Sequence, residues 1–166
     1  CGRYWLSLIV EKKTAFLPKT GKAAGIDVGL THLAILSDGR KLDKFSSDYC
    51  EKQAEIWQSK SSKRRHLADV KSKQDKDKKV LGAKGLYDYQ NWQKANAIKN
   101  RYMSRITNQR NDYLHKVTDR LVKEYDVIVI EDLKVRNMTK NHHLSRSILR
   151  QSWSSFREML EYKCKK

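Results

Sequence analysis

The sequence predicts an α/β fold in which a mixed β-sheet is interrupted by a long, basic helical hairpin. Two stretches have the apolar, β-branched character of strands, residues 23–36 and 125–130. Between them, residues 47–124 show helical periodicity and a strong excess of Lys and Arg. The helices are therefore expected to form an insertion between strands of one sheet.

The overall charge points to a polyanionic partner. The chain has 166 residues, and 36 Lys plus Arg against 19 Asp plus Glu give a formal net charge of +17. Nucleic acid is the first candidate, because each neutralised phosphate releases condensed cations, and an anionic membrane surface is the second. No apolar run approaches the ~18 residues that would span a bilayer, and no signal-like leader is present. A soluble, cytoplasmic protein is expected.

The three cysteines, Cys1, Cys50 and Cys164, form no C-x-x-C pair. This spacing argues against a disulfide framework and against a zinc ribbon within these residues. The chain begins without an initiator Met and ends at Lys166 without a terminating signal. Both ends are therefore expected to be cuts through a longer protein.

The first elements are predicted as strands. Residues 4–11 alternate loosely and predict a strand, and residues 12–22, which contain Pro18, predict a linker. Residues 23–36 then lead into Ser37-Asp38-Gly39-Arg40, where Asp-Gly predicts a hairpin turn. Asp27 lies between Gly25 and Gly29, and the glycines would let an anionic partner or a metal approach the backbone closely.

Two helices follow. The first is predicted over about residues 47–79. Its packing face is predicted to contain Tyr49, Gln53, Ile56 and Trp57, with a weak continuation at Leu67 and Val70. The second is predicted over about residues 89–124, roughly 50 Å long, with one apolar stripe along its length. The candidate nucleic-acid contacts are the basic residues of these helices and of the polar loop after residue 133, namely Lys60, Lys63, Arg64, Arg65, Lys94, Arg101, Arg105, Arg110, Lys134, Arg136 and Lys140.

The stretch Tyr125–Leu133 predicts a buried strand that ends in two acids. Residues 127–130 are apolar at every position, which favours a strand covered on both faces of the sheet. Ligand sites lie beyond the carboxyl ends of such strands, so Glu131 is a candidate site residue, although a solvated strand exit explains it equally well. A final helix is predicted from the spacing of Leu149, Trp153, Phe156 and Leu160.

The order of these elements fits an RNase H-like sheet. Asp27 and Glu131 would then face each other from neighbouring strands. Carboxylate oxygens are hard ligands that suit Mg²⁺ or Mn²⁺. A pair of such ions can stabilise the attacking and leaving oxygens of a phosphodiester, so hydrolysis of a nucleic-acid backbone is the predicted chemistry.

Several motifs in one order make the resemblance specific. They are Gly25-Ile26-Asp27-Val28-Gly29-Leu30, then residues 130–138 (Ile-Glu-Asp-Leu-Lys-Val-Arg-Asn-Met), and then Ser152-Trp153 through Phe156-Arg157 to Leu160-Glu161-Tyr162-Lys163. Over essentially its whole length the chain resembles the TnpB (OrfB) family, the bacterial and archaeal RNA-guided nucleases of insertion sequences, often described as probable transposases. These are similar to type V CRISPR effectors.

The resemblance implies a RuvC-type nuclease domain whose catalytic, metal-binding carboxylates are Asp27 and Glu131. It implies that residues 1–20 are the last strand of an upstream oligonucleotide-binding barrel with a linker. Residues 21–166 would be a partial RuvC-like domain with a basic helical insertion at 46–124. The partners would be DNA and a guide RNA, and no small-molecule substrate is expected.

The chain also departs from the family pattern. Members carry a third catalytic Asp after a four-cysteine zinc ribbon, whereas no Asp follows Asp132 here and the sequence has no C-x-x-C. Glu158 and Glu161 are the later acids, and they are predicted as surface charges. The fold is therefore expected to be incomplete at its C-terminus, with zinc bound only in the full-length family and cleavage by this chain weak or absent.

Two other functions remain open. The chain could be a non-catalytic basic module that binds nucleic acid. Alternatively, Asp27, Gly29 and Thr31 satisfy the D-x-G-x-T spacing of actin-like ATPases and sugar kinases. The second alternative leaves the charge of +17 unexplained. The oligomeric state is not predicted.

Overall fold

A computed structural model describes residues 6–11, 17–78, 81–82, 84–133 and 152–165. The chain divides into two compact units, a sheet unit of residues 1–42 and 117–166 and a helical unit of residues 43–116. The helices and strands are β1 (Ala23–Val28), β2 (Ala34–Leu36), β3 (Lys41–Leu42), α1 (Asp48–Asp77), α2 (Gln90–Glu124), β4 (Val127–Ile130) and α3 (Trp153–Cys164), with a short 3-10 turn at Leu86–Asp88 before α2.

The sheet is mixed and has the strand order β3-β2-β1-β4. β1 pairs with β2 and β2 pairs with β3 in antiparallel fashion, whereas β1 and β4 are parallel. Residues 37–40 form the turn between β2 and β3, where Gly39 has a φ of 86° that glycine adopts without strain. The predicted mixed sheet, the Asp-Gly turn and the helices inserted before β4 are confirmed.

One face of the sheet belongs to the core and the other is open. Alternate residues of β1 and β2 are buried, among them Ile26 and Leu36, which pair across the two strands. On β4, Val127 and Val129 are 54% and 65% exposed. The prediction that β4 is covered on both faces is wrong for the part of the chain that the structure describes. β4 lies at an edge of the sheet, and no described helix shields those two valines.

Helix α3 closes the core of the sheet unit. Its positions Trp153, Phe156 and Leu160 follow the predicted helical spacing, and all three are buried. Lys163 on the same helix donates to the hydroxyl of Thr118 at 2.8 Å and lies 2.7 Å from the carboxylate of Asp119. The last turns of α2 and α3 are therefore joined by polar as well as apolar contacts.

The helical unit contains α1 and most of α2 as an antiparallel pair. Cys50 and Ala54 near the start of α1 pack with Ile106 in α2, and Arg64 further along α1 donates to the carbonyl of Asn91 near the start of α2. The predicted apolar stripe of α2 is confirmed at its buried residues, among them Ala95. The helix bounds lie within two residues of those predicted.

The packing face predicted for α1 is wrong. Its buried residues are small: Cys50, Ala54, Ser61, Ala68 and Ser72. Of the predicted face, Tyr49, Ile56, Leu67 and Val70 are exposed, and Gln53 and Trp57 are half-buried. The small residues recur at intervals of four and seven, so they lie on one side of the helix, where short side chains permit close packing. Counting large apolar residues missed this side because it includes serines.

The predicted opening strand is also wrong over residues 6–11. These residues are outside any strand, and Leu6, Leu8 and Val10 are at least 72% exposed. A strand requires a hydrogen-bonded neighbour, and none pairs with these residues in the described chain. Within the same described ranges, none of the helices combines the length and the apolar character needed to cross a bilayer.

Candidate functional site

The register of β1 and β4 brings Asp27 and Glu131 to the same end of the sheet. The parallel pairing runs from Ala23 with Val127 to Ile26 with Ile130. Continued by one residue, this register places Asp27 beside Glu131, which directly follows β4. Residues at paired positions of adjacent strands point to the same face. The two acids therefore share a face despite their separation in sequence.

This face is the open one. Asp27 and Glu131 are both exposed, and they line one surface depression together with Gly25, Ile35, Ser37 and Val129. The depression is bounded by the backbone of β1 and the first residue after β2. Within the described chain, both carboxylates are accessible to solvent on this face.

The local sequence of β1 explains the shape of the depression. The N–H of Gly25 donates to the hydroxyl of Ser37 at 3.1 Å, and the N–H of Ser37 donates back to the carbonyl of Gly25 at 2.9 Å. A Cβ at Gly25 or Gly29 would meet ordinary van der Waals contacts, at 3.7 and 3.5 Å respectively. Neither glycine is thus required by its own protein surroundings, and close approach of a ligand remains a prediction.

Asp132, the acid next to Glu131, is held by a different element. Its carboxylate forms an ion pair with Arg157 of α3, and Arg157 Nε also donates to Glu161 at 2.8 Å. These contacts, that of Glu161 first and that of Asp132 second, raise the pKa of the Arg157 guanidinium. Asp132 therefore ties α3 to the end of β4, whereas Glu161 contacts Arg157 within α3 itself.

Glu131 stands between two openings. Besides the depression that it shares with Asp27, it borders a cavity of about 300 Å³ between the end of β4 and α3. That cavity is lined by apolar side chains, including Val28, Ile130 and Leu133, and by the charged side chains of α3, among them Arg157. Asp27 does not border it. The shared depression is therefore the opening that both carboxylates line.

The two carboxylates fit a hydrated hard cation. Mg²⁺ usually keeps several waters and is bound through one or two carboxylates, so Asp27 and Glu131 supply a sufficient protein contribution. In the residues that the structure describes, no group of three or more His, Cys, Asp or Glu side chains is placed to hold a metal ion. The described residues thus offer two carboxylates on a face that is open to solvent.

Some of the candidate basic residues of the helical unit contact other residues of that unit, and most of the candidates are exposed. On α1, Lys60 lies over the ring of Trp57 at 4.6 Å, and Arg64 is bound to the carbonyl of Asn91. Arg110 of α2 is half-buried, with its guanidinium 5.8 Å from the centre of the Phe45 ring. The exposed residues of the predicted set are Lys60, Lys63, Arg64, Arg65, Lys94, Arg101 and Arg105. Lys134, Arg136 and Lys140 lie outside the described residues.

The polar contacts at the opposite end of the sheet were not predicted from sequence patterns. There Asp126 binds the turn before β1, and Tyr125 binds the turn after β2. Two sequence features could have indicated these contacts: an acid directly before one apolar strand, and a Thr-Gly pair before another. Both features are common in protein sequences, and only the fold shows that these two segments contact each other.

Known proteins resemble this chain over nearly its whole length. A family model named OrfB_IS605 and described as "Probable transposase" matches residues 7–142. The chain is 38% identical to a "Putative RNA-guided DNA endonuclease" of Streptomyces pristinaespiralis over 98% of its own length and 36% of that relative. It is 32% identical to the "Putative RNA-guided DNA endonuclease InsQ" of Escherichia coli K12, over 98% of its length and 40% of that relative.

A third relative matches a shorter part. The "TnpB-like protein MJ1635" of Methanocaldococcus jannaschii is 36% identical over 66 residues, which are 39% of this chain. The chain thus spans well under half the length of the relatives that it matches. The family match covers most of the chain and includes both Asp27 and Glu131. The chain belongs to the TnpB/OrfB family.

Proposed function

We propose that this chain carries the nuclease centre of a TnpB-type, RNA-guided DNA endonuclease, with Asp27 and Glu131 as its catalytic, metal-binding carboxylates. The observation that supports this proposal is the β1/β4 register, which aligns the two acids on one open face. The strand order with a parallel β1/β4 pair fits an RNase H-like, RuvC-type sheet. In this assignment residues 21–166 are part of the nuclease domain, and 46–124 are its helical insertion.

The chemistry proposed for the site is hydrolysis of a phosphodiester. A bound Mg²⁺ or Mn²⁺ would polarise phosphoryl oxygens and lower the pKa of a coordinated water. Asp27 and Glu131 carry anionic carboxylate oxygens when ionised, so they would hold the cation at the open face of the sheet. Asp132 is excluded from this role because Arg157 holds it.

The exposed basic residues of α1 and α2 are proposed to bind the nucleic-acid backbone. Lys94, Arg101 and Arg105 recur at intervals of seven and four on α2, so they lie along one side of the helix. A row of cations on a helix matches the spaced phosphates of DNA or RNA and reads charge rather than sequence. Guide RNA and target DNA are therefore the proposed partners.

The test compares three variants of the full chain. Asp27→Asn and Glu131→Gln should abolish Mn²⁺ binding and any metal-dependent nicking of supercoiled plasmid DNA. Asp132→Asn removes the same charge one residue away and should leave both intact, because Asp132 pairs with Arg157. Metal-dependent nicking by Glu131→Gln at the wild-type rate would disprove the assignment of Glu131.

A second function is supported by one observation. The described residues hold two carboxylates at the site and no cluster of three, which favours a module that binds nucleic acid without cleaving it. In that case DNA affinity falls steeply as salt rises and does not change in Asp27→Ala. Nicking that depends on both metal and Asp27 would exclude this alternative.

A further inference from the structure

The apolar pattern of β4 does not determine which residues it pairs with. Its four residues, Val127–Ile130, are alternately Val and Ile, so a shift by one position still presents apolar side chains to the core. Register is normally fixed because a one-residue shift moves the hydrophobic residues to the wrong face. For β4 this penalty is small, and another feature has to set the pairing with β1.

Asp126 makes the contacts that can do so. Its carboxylate accepts hydrogen bonds from the N–H of Thr20 at 2.9 and 3.1 Å, from the Thr20 hydroxyl at 3.0 Å and from the N–H of Gly21 at 2.8 Å. The N–H of Asp126 in turn donates to the carbonyl of Lys22 at 2.8 Å. These bonds lower the pKa of the Asp126 carboxyl, with the N–H of Thr20 as the largest cause. We name this set of contacts the Asp126 clamp.

The clamp depends on a specific backbone shape. Gly21 has a φ of 71°, in the left-handed region that glycine favours, at the turn where its N–H donates to Asp126 and the chain continues into β1. The clamp joins the residue before β4 to the residues before β1. It therefore fixes where the first residues of the two strands, Val127 and Ala23, lie relative to each other.

A second set of contacts secures the same end of the sheet. Arg40, in the turn after β2, donates to Glu124 at 3.0 Å and to the Tyr125 hydroxyl, and Tyr125 donates to Asp38 at 2.7 Å. The segment that leads from α2 into β4 is thus tied to β2 as well as to β1. Both neighbouring strands of the carboxylate site are aligned from the end opposite to it.

We propose that Asp126 is a positioning residue for the carboxylate pair, and that its clamp selects Glu131 rather than Asp132 as the partner of Asp27. This inference rests on the function proposed above. The observed register, continued by one residue beyond the pair of Ile26 and Ile130, places Asp27 beside Glu131. A shift of one residue would bring Asp132 or Ile130 beside Asp27 and would turn Glu131 to the other face. The identity of the second metal ligand thus follows from contacts at the far end of a four-residue strand.

The experiment uses the full chain and the variant Asp126→Ala. Its matched control is Asp112→Ala, which removes an equally exposed acid of α2 that pairs only locally with Lys116. The first measurement is the set of backbone nuclear Overhauser effects between β1 and β4, at Gly25 with Val129 and Ile26 with Ile130. The second is the affinity for Mn²⁺, followed by electron paramagnetic resonance.

In Asp126→Ala the native β1/β4 contacts should weaken or be replaced by shifted pairs. Mn²⁺ affinity should fall by about tenfold or more, the range seen when residues that orient metal ligands are removed. Asp112→Ala should change neither. Native contacts at full intensity in Asp126→Ala, or an equal loss of Mn²⁺ affinity in Asp112→Ala, would overturn the proposal.

A second variant covers the possibility that Asp126→Ala does not fold. Gly21→Ala keeps every charge, and its Cβ would enter open space, so its effect is confined to the positive φ of the turn. It should weaken the same β1/β4 contacts and Mn²⁺ binding, to a smaller extent. If Gly21→Ala retains both at wild-type level, the clamp does not set the register.

The outcome is separable from that of the proposed function. Should the wild-type chain bind no Mn²⁺, the metal site fails as a proposal, and the β1/β4 contacts alone decide whether Asp126 fixes the register. Should Mn²⁺ bind but depend on Asp132 in the Asp126→Ala background and on Glu131 in the wild type, both proposals are supported together.

Discussion

The hydroxyl of Tyr125 donates a 2.7 Å hydrogen bond to Oδ2 of Asp38. Tyr125 lies between α2 and β4 and is 7% exposed, whereas Asp38 lies in the exposed turn between β2 and β3. The same hydroxyl accepts a hydrogen bond from Arg40, which also lies over the Tyr125 ring at 5.5 Å. One buried aromatic side chain thus joins the turn to the strand that leads to Glu131.

Tyr125→Phe should destabilise the sheet unit while keeping its core packed. The ring remains, but Asp38 loses its tyrosine donor and Arg40 loses one acceptor. We expect the midpoint of thermal unfolding to fall by a few degrees, followed by far-ultraviolet circular dichroism. Tyr87→Phe is the matched control, because Tyr87 is 73% exposed. An unchanged midpoint in Tyr125→Phe would show that the hydroxyl contributes nothing to stability.

Two acids of the sheet unit should make its stability depend on pH. The pKa of Asp38 is lowered, first by Tyr125, and that of Asp126 is lowered, first by the N–H of Thr20. A group with a lowered folded-state pKa stabilises the fold above its unfolded value, here near 3.8, and loses this contribution as pH falls through the folded value. Urea midpoints should thus be steady from pH 7 to about pH 5 and decline below about pH 4.

The variant Asp126→Asn provides the control for that pH dependence. An amide does not titrate in this range, so the decline below about pH 4 should be shallower than in the wild-type chain. The variant should also be less stable at neutral pH, because the amide cannot accept as many hydrogen bonds as the carboxylate. A decline of equal slope in both proteins would assign the acid sensitivity to other groups.

Strong periodicity was sufficient to predict much of the fold. The stripe of α2, the Asp-Gly turn and the spacing of Trp153, Phe156 and Leu160 each follow from local rules, and the structure has them where they were predicted. Asp27 and Glu131 were predictable as a pair because both stand at the ends of apolar stretches. Their position on neighbouring strands was predicted from the order of the elements rather than from local pattern, because register depends on contacts between distant segments.

The remaining differences have a common physical cause. Valine is a residue type that is usually buried, yet Val129 is exposed. Its exposure depends on whether another element covers that face of the sheet, and the sequence of β4 does not determine this. Ser61 and Ser72 read as polar positions, yet they are buried where α1 packs closely. Ser72 satisfies its hydroxyl by donating to the carbonyl of Lys84 at 2.9 Å. Local pattern cannot specify partners that come from elsewhere in the chain.

Phe156→Ala should be the most damaging of the core substitutions in α3. Phe156 is fully buried, and deleting its ring leaves a cavity, which typically costs about 3–5 kcal/mol. Urea unfolding of the full chain measures the loss. Met159→Ala, at a half-buried position of the same helix, should cost clearly less. Equal losses would mean that α3 does not pack through the face that contains Phe156.

Arg105 and Arg110 lie on the same helix, and replacing each by alanine should affect different properties of the protein. Arg105 is exposed, whereas Arg110 is half-buried over Phe45, and Phe45 also packs with Tyr113 at a ring distance of 6.2 Å. Arg105→Ala should weaken DNA binding equally for all sequences and reduce the dependence of affinity on salt by about one phosphate contact, with no change in unfolding.

Arg110→Ala should instead destabilise the helical unit, because it removes a cation–π contact that is worth about 0.5–1 kcal/mol together with the packing of its stem. Its DNA affinity should retain nearly the wild-type salt dependence, measured by fluorescence anisotropy across a salt titration. The pair of variants separates charge from packing because both remove one arginine from α2. If Arg110→Ala lowers the salt dependence as much as Arg105→Ala and leaves unfolding unchanged, Arg110 contacts phosphate and its position over Phe45 is incidental.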